Sequence, residues 1–490
     1  MTDRRQLALL GVLVVALVAL RSFVATYYEG FYFDSDQAIV GLMARHMSRF
    51  QRFPLFYYSL NYILGVQAWI IAPFFWIGRS SVTLARLPFV ALNALVGVWL
   101  VRRFTNHEGL SPTLAFVAAL PFIIPTPAVG TQLLELAGAC VEPFVYVLLL
   151  WVLRRRPFAF GLLLAIAFLQ REFAIFAVPA ILLVEIRRPD FRSRRNVTRA
   201  AWAIAGFALA WIIVDDVKMH LLGGGLVGQA ASLGGQMCTS GPELAQRVRA
   251  LVSEALPILY GGYRMPLATV RMTSSIAAGS WVVGVLVAAT LPLMVTRLAM
   301  AELARLKGSR SKMRGEREDS FPAYLAWVGL FTACVYPLSC NVILHAPPLL
   351  RYLLLALLLP VGLFAAFMQR ERSPALRNIV AGVFVVWAAV NLRDNVRVVR
   401  EALRDPPGSE HRALVDYLLQ QRIRYARAIY WDAYMVDFLS GERVVAASVD
   451  VIRIPEYQKL VDDHADAAVN LERLPCSGPR RVASWCVTGP

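Results

Sequence analysis

Residues 31–46 read FYFDSDQAIVGLMARH and follow an apolar segment long enough to cross a bilayer. Two carboxylates, Asp34 and Asp36, stand one residue apart behind three aromatic side chains, and an amphipathic run comes after them. If the preceding segment spans a membrane, this stretch is the first to emerge on the far side, and the sidedness of everything downstream follows from it. One role for the acids is local. Asp36 is placed to cap a helix starting at Gln37, because an Asp side chain there accepts an otherwise unpaired backbone N–H. Capping does not exclude chemistry at the same residue.

The remainder of the 490-residue chain supports the membrane reading. Hydrophobic residues make up 58% and charged residues 17%, with a mean hydropathy of +0.54. That is too little charge to cover a soluble protein of this length. The net charge is +17 and almost entirely arginine, since lysine occurs only at 218, 307, 312 and 459. The arginines fall in short turns between apolar blocks. The positive-inside rule accounts for that spacing, which speaks against a nucleic-acid-binding surface.

The first span covers about 7–24, after Arg4 and Arg5. Its core is longer than that of a signal peptide and no small-x-small cleavage site follows, so it reads as an uncleaved span with a cytoplasmic N-terminus. Further spans read at 84–101, 110–124, 133–153, 158–170, 173–186, 200–214, 280–295, 321–338, 351–368 and 378–392. Arginine clusters at 102–103, 154–156, 187–199, 297–317 and 370–377 each follow an even-numbered span, so all share the side of the N-terminus. Eleven spans leave the C-terminus outside.

Three segments are then external: 27–83, 215–279 and 393–490. Within the first, residues 61–77 (NYILGVQAWIIAPFFWI) read as a helix lying in the outer interface, with Tyr62, Trp69 and Trp76 at headgroup level. The third reads as a helix over 409–421, strands at 425–430 and 443–447, and a helix over 456–464, entered through a Pro406-Pro407-Gly408 turn. The expected fold is therefore an all-α polytopic membrane protein with about eleven transmembrane helices over 1–392. Interfacial helices occupy its long first external loop, and a small α/β domain over 393–490 lies on the outer side. Cys238, Cys340, Cys476 and Cys486 also fall outside; Cys476 and Cys486 are either a disulfide in an oxidising compartment or two free thiols. No CxxC, HExxH or clustered-histidine pattern points to a metal.

Three features sit badly with a purely structural membrane domain. The spans at 158–170 and 173–186 supply only about 20 Å of helix each against roughly 30 Å of hydrocarbon. Gln170, Arg171 and Glu172 between them should therefore lie below the membrane surface, either lining a wet cavity or closing the turn as an Arg171–Glu172 ion pair. Glu142, followed by Pro143, is either a favourable acid opening a helix near residue 142 or a functional carboxylate, with Glu135 in a turn before it. Arg351-Tyr352 opens a span from the outside, near His345, as a snorkelling pair or as part of a site. Together Asp34, Asp36, Glu142, Arg171, Glu172 and Arg351 fall on one outer face. Carboxylates beside arginines suit attack of a hydroxyl on a carbon whose leaving group is a phosphate.

FDSDQA, the two amphipathic stretches after it, Glu142-Pro143, Arg171 and the RYLL at 351–354 occur in an order that resembles the GT-C superfamily of membrane glycosyltransferases. The likeness is to polyprenyl-phosphate-sugar users related to dolichyl-phosphate-mannose protein mannosyltransferases and lipid A aminoarabinose transferases. It covers about residues 1–390 and is strongest over 30–105. The resemblance implies transfer of a sugar, with inversion, from a polyprenyl-phosphate donor to an external glycan, lipid or protein acceptor, in a bacterial inner membrane with the C-terminal domain periplasmic. It implies Asp36 as catalytic base, with Asp34 as the alternative and Glu142 as a third acid. Donor phosphate falls to Arg171 and Arg351, with Gln37, Gln67, Glu172, Tyr352 and His345 lining the substrate space. Beyond the lipid donor it fixes no cofactor and leaves a divalent cation open. Gln37 and Gln67 stand where relatives carry acids, so neither can act as a base. A transporter or flippase and a catalytically silent relative are the rival readings.

Overall fold

A computed structural model of the chain describes residues 3–137, 140–186, 191, 193–222, 237–238, 240–261, 281–308, 320–340, 350–476 and 480–489. The structure is mainly helical with a small C-terminal sheet, and among the described residues five helices are long and apolar enough to cross a membrane. These are α1 (Asp3–Tyr27), α4 (Val82–Asn106), α10 (Arg194–Leu222), α14 (Phe321–Val335, extended by a 3₁₀ turn at Tyr336–Leu338) and α16 (Pro374–Arg404). Between α1 and α4 come α2 (Ser35–Ser48), a two-stranded hairpin of β1 (Phe56–Tyr57) and β2 (Leu60–Leu64), and α3 (Val66–Ile77). Between α4 and α10 lie α5 (Pro112–Ile123), α6 (Pro127–Gln132), α7 (Glu142–Leu153), α8 (Pro157–Gln170) and α9 (Ala177–Glu185). After α10 come α11 (Gly241–Ala250), α12 (Leu256–Tyr260) and α13 (Trp281–Gly308), and α15 (Leu358–Arg370) precedes α16.

Helix starts follow local chemistry. Ser81, Ser111, Thr126 and Ser373 each accept a backbone N–H at the head of α4, α5, α6 and α16. Pro112, Pro127, Pro143 and Pro157 sit in first turns, where the missing N–H costs nothing.

Contacts at one end of the bundle join the arginine-bearing turns. Glu371 takes a bidentate hydrogen bond from Arg297 at 2.7 and 2.9 Å. Glu108 pairs with Arg103 at 3.3 Å, and its carbonyl accepts from Gln369 at 2.8 Å. Arg199 donates to the Arg154 carbonyl at 2.7 Å, and near the chain start Gln6 meets Thr113 at 2.9 Å.

Several expected elements take a different form. Only the second part of the span at 133–153 is helical: α6 has already ended at Gln132, and α7 starts at Glu142, where the Glu-Pro pair can open a helix. Residues 61–77 are not one helix, because their first part pairs as β2 and Gly65 separates it from α3. The segment at 173–186 begins as a 3₁₀ turn (Glu172–Phe176), and that at 351–368 begins as 3₁₀ turns at Leu350–Tyr352 and Leu354–Leu357. Helix α2 is capped by Asp34 and not by Asp36: Asp34 Oδ1 accepts the Gln37 N–H at 3.0 Å, and Asp36 lies in the first turn.

After α16, residues 405–409 lead to α17 (Glu410–Gln420), β3 (Tyr425–Ala428), α18 (Tyr430–Ser440), β4 (Val445–Ser448), α19 (Pro455–Asp462), β5 (Ala468–Arg473), β6 (Arg480–Val482) and β7 (Trp485–Thr488). The sheet order is β4-β3-β5-β7-β6, parallel among the first three strands and antiparallel beyond. Tyr430, expected at a strand end, opens α18. Two disulfides are formed. Cys476–Cys486 closes onto β7, and Cys238–Cys340 joins the segment between α10 and α11 to the chain after α14.

Candidate functional site

The loop between α1 and α2 is fixed from below by a residue that the hydropathy pattern conceals. Arg86, in the second turn of α4, is 1% exposed and donates to the carbonyls of Ala25, Phe31 and Tyr32. It also donates to Gln37 Oε1 at 2.9 Å, while Gln37 Nε2 donates to the Tyr32 carbonyl at 2.9 Å. Gln37 is fully buried. The expectation that it lines the substrate space is therefore corrected: both ends of its amide hold the loop. Tyr32 itself adopts a left-handed backbone, φ 54°, a conformation bulky residues avoid unless their surroundings impose it.

That scaffold presents the two aspartates differently. Asp34 is committed to capping α2, and burial pushes its carboxyl above the usual range, with the charge of Asp36 adding to the effect against the Gln37 N–H and Arg86. Asp36 is half-buried. Its carbonyl accepts from Tyr57 at 2.8 Å, and its Oδ1 accepts a hydrogen bond from Tyr430 of the C-terminal domain. Its Oδ2 makes no hydrogen bond among the described residues and is not buried.

A third carboxylate joins them. Glu135 lies in the turn between α6 and α7, 6% exposed, and accepts from Tyr32 Oη at 3.4 Å. The charges of Asp34, Asp36, Arg351 and Arg171 all act on it, so it stands between the acidic and the basic parts of the site. Sequence reading placed Glu135 in a turn but not in the site; the signal available was a second acid seven residues before Glu142 in an otherwise apolar run.

The cations come from two breaks in the bundle. Arg171 follows the last residue of α8, where the backbone turns extended (φ −148°, ψ 105°), and it is 8% exposed. Arg351 sits half-buried in the 3₁₀ turn before α15. Among the described residues neither guanidinium makes a hydrogen bond or an ion pair; Arg351 only overlies the Tyr352 ring at 5.7 Å. No Arg171–Glu172 ion pair closes the turn. Tyr352 packs edge-on to Phe173 at 5.3 Å and so couples the two breaks. Glu142 is 3% exposed and grouped with Arg171; its Oε1 accepts from Gln170 at 3.3 Å, and Gln170 in turn accepts from Tyr146.

Below the arginines, Phe173 and Tyr352 line both a small cavity shared with Cys140, Pro143 and Arg351 and a larger one of about 220 Å³. The larger cavity is mostly apolar, walled by Phe168, Phe176, Val335, Tyr336 and Leu338, with Glu172 at its edge. Gln67 is 2% exposed, so it does not line this space, and its Nε2 has no partner. His345 lies outside the described residues. Among the described residues no group of three or more His, Cys, Asp or Glu side chains is arranged to hold a metal ion.

These features define a multispanning membrane protein whose carboxylates, unpaired arginines and apolar cavity converge at one end of the bundle. The chain matches no protein-family model and no curated protein. It is similar to the crystal structure of ArnT from Cupriavidus metallidurans bound to undecaprenyl phosphate, at 11% identity over 97% of each chain with a TM-score of 0.44. It is also similar to the apo form of ArnT from the same organism, at 12% identity over 94% of this chain and 92% of that one with a TM-score of 0.41. Likeness at this level adds no weight to any residue's role, which rests on the contacts above.

Proposed function

We propose that this protein is an integral-membrane glycosyltransferase that moves a sugar from a polyprenyl-phosphate donor to an acceptor on the outer side of a bacterial inner membrane. The observation that carries the proposal is the pair Arg171 and Arg351. Two guanidinium groups are withdrawn from solvent with no bonded counter-ion among the described residues, beside a cluster of carboxylates. Desolvating a cation without a partner is unfavourable unless a ligand anion takes the place of water. A phosphate between two arginines satisfies both. The apolar cavity next to Tyr352 and Phe173 suits the start of a lipid tail.

In the step proposed, the acceptor hydroxyl oxygen attacks the anomeric carbon from the face opposite the phosphate. The bond from that carbon to the phosphate oxygen breaks, and its electron pair leaves with polyprenyl phosphate. The hydroxyl proton passes to Asp36 Oδ2. Arg171 and Arg351 offset the charge that grows on the departing phosphate. Glu142 is a buried acid near Arg171 that accepts a hydrogen bond from Gln170, and Asp34 is the cap that aims the first turn of α2. The division into a transmembrane part over 1–392 and an outer domain over 393–490 belongs to the same reading. So does an oxidising outer compartment, which the two disulfides support.

The test is transfer of label from synthetic polyprenyl-phosphate sugars by the reconstituted full chain, comparing wild type with Asp36→Asn. Loss of transfer with donor binding retained is expected. Transfer unchanged by the substitution would remove Asp36 as the base. Movement of labelled lipid or sugar across vesicles without any transfer would favour a transporter.

A further inference from the structure

The C-terminal domain does not merely sit near the site; one of its side chains enters it. Strand β3 ends at Ala428, and two residues on Tyr430 begins α18. The Tyr430 N–H donates to Asp450 Oδ1 at 2.7 Å, which fixes the start of that helix against the loop after β4. Its ring packs on Trp431 at 5.1 Å and Tyr434 at 5.4 Å, while the Arg453 guanidinium lies 5.7 Å from its centre. With the ring packed in this way, the phenol donates to Asp36 Oδ1. Asp36 is thereby held at both ends: its carbonyl by Tyr57, one carboxylate oxygen by Tyr430 and the other oxygen open.

A side chain in the first turn of a helix is otherwise free to rotate about its χ angles. A base that abstracts a proton has to present one oxygen within hydrogen-bond reach of the acceptor hydroxyl. We infer that Tyr430 is a positioning residue of the transfer site, supplied by the C-terminal domain to lock the Asp36 carboxylate with Oδ2 facing the acceptor. The inference rests on Asp36 acting as base. It gives the outer domain a part in the reaction that its distance in sequence, 394 residues from Asp36, conceals.

The full chain in nanodiscs is assayed with radiolabelled undecaprenyl-phosphate hexoses and a cell-envelope extract as the acceptor source, for wild type, Asp36→Asn, Tyr430→Phe and the exposed control Lys459→Ala. Tyr430→Phe keeps the ring and its packing and removes only the hydroxyl. Its kcat is expected to fall about ten- to a hundredfold, the range for losing a hydrogen bond to a charged group, with donor KM and melting temperature unchanged. Fluorotyrosines of graded acidity at position 430 preserve shape, and kcat is expected to follow donor strength across them. A wild type inactive with every donor overturns the glycosyltransferase reading itself. If wild type is active and Asp36→Asn is not, unchanged kcat in Tyr430→Phe, or a flat fluorotyrosine series, overturns the positioning role and leaves that reading standing.

Discussion

At the residue scale, two side chains of similar appearance in the sequence have separable tasks. Gln37 and Arg171 are both polar, both nearly buried, and both next to an element boundary. Gln37 is fully bonded within the protein and Arg171 is bonded to nothing described, so substitution should separate stability from activity. Gln37→Leu leaves the Tyr32 carbonyl with Arg86 as its donor but removes the Gln37 acceptor from that buried guanidinium; a loss of about 1–3 kcal/mol is expected from the unsatisfied buried group. It should appear as a lower melting temperature with donor KM unchanged. Arg171→Gln and Arg351→Gln should do the reverse, keeping the melting temperature and lowering kcat/KM for donor about ten- to a hundredfold each. Equal thermal losses in all three variants would contradict this division. The sequence made the arginines legible because charge in an apolar block is conspicuous. It hid Gln37's task, because the partner that occupies it, Arg86, is 49 residues away inside a span.

At the element scale, the proposed site depends on helices that stop short. The α8–α10 crossing holds one of them: a Cβ on Gly161 would lie 1.9 Å from the Ala203 carbonyl oxygen, and one on Gly206 would lie 2.2 Å from that of Phe158. The two backbones touch, as small residues allow in membranes. Gly161→Ala must push α10 away, at an expected cost of about 1–3 kcal/mol. Because Arg171 hangs from the end of α8, kcat/KM for donor should fall with it. A melting curve and a donor titration on one preparation check both effects, and a variant matching wild type in each would refute the close crossing. Long uniform spans such as 84–101 could be read from hydropathy alone, and the observed α4 contains that whole block. The segment at 133–153 could not be read so: its composition is continuous, and only the Glu142-Pro143 pair marks the break. The strands β5 to β7 were missed for another reason. They are short, and their pairing is set by partners across the sheet, not by alternation within each strand.

At the scale of the whole molecule, α2 is one of the elements that join the helical bundle to the C-terminal domain, with Asp36 in its first turn. Phe438 of α18 lies where a Cβ on Gly41 would stand, 2.4 Å from its ring, so α2 and α18 meet without a side chain between them. Arg45 donates to the Phe438 carbonyl at 2.7 Å. At the last turn, Glu442 gathers His46 at 2.8 Å, Tyr457 at 2.6 Å, Arg49 at 3.3 Å and Arg45 at 3.6 Å. None of the contacts from α2 was legible in the sequence, because each joins residues about four hundred apart and no local pattern encodes it. The Glu442 cluster has a consequence in pH. Burial alone would raise the Glu442 carboxyl, but the hydrogen bonds from His46 and Tyr457, with the charges of His46 and Arg45, outweigh it and hold the group at about 2, against 4.5 in a free chain. A carboxyl depressed in the folded state stabilises fully above its unfolded value and loses that contribution as the pH falls toward its folded one. The margin of wild type over Glu442→Gln should therefore be complete at about pH 6 and shrink from about 4.5 down to about 2. Asp432, inside the C-terminal domain and also held at about 2, titrates in both proteins and cancels in the difference. Melting temperatures of the two proteins across that range measure the margin. A gap that stays constant with pH would mean that Glu442 does not fasten the domain to α2, leaving that task to contacts such as Arg45 on the Phe438 carbonyl and Arg412 on Glu29.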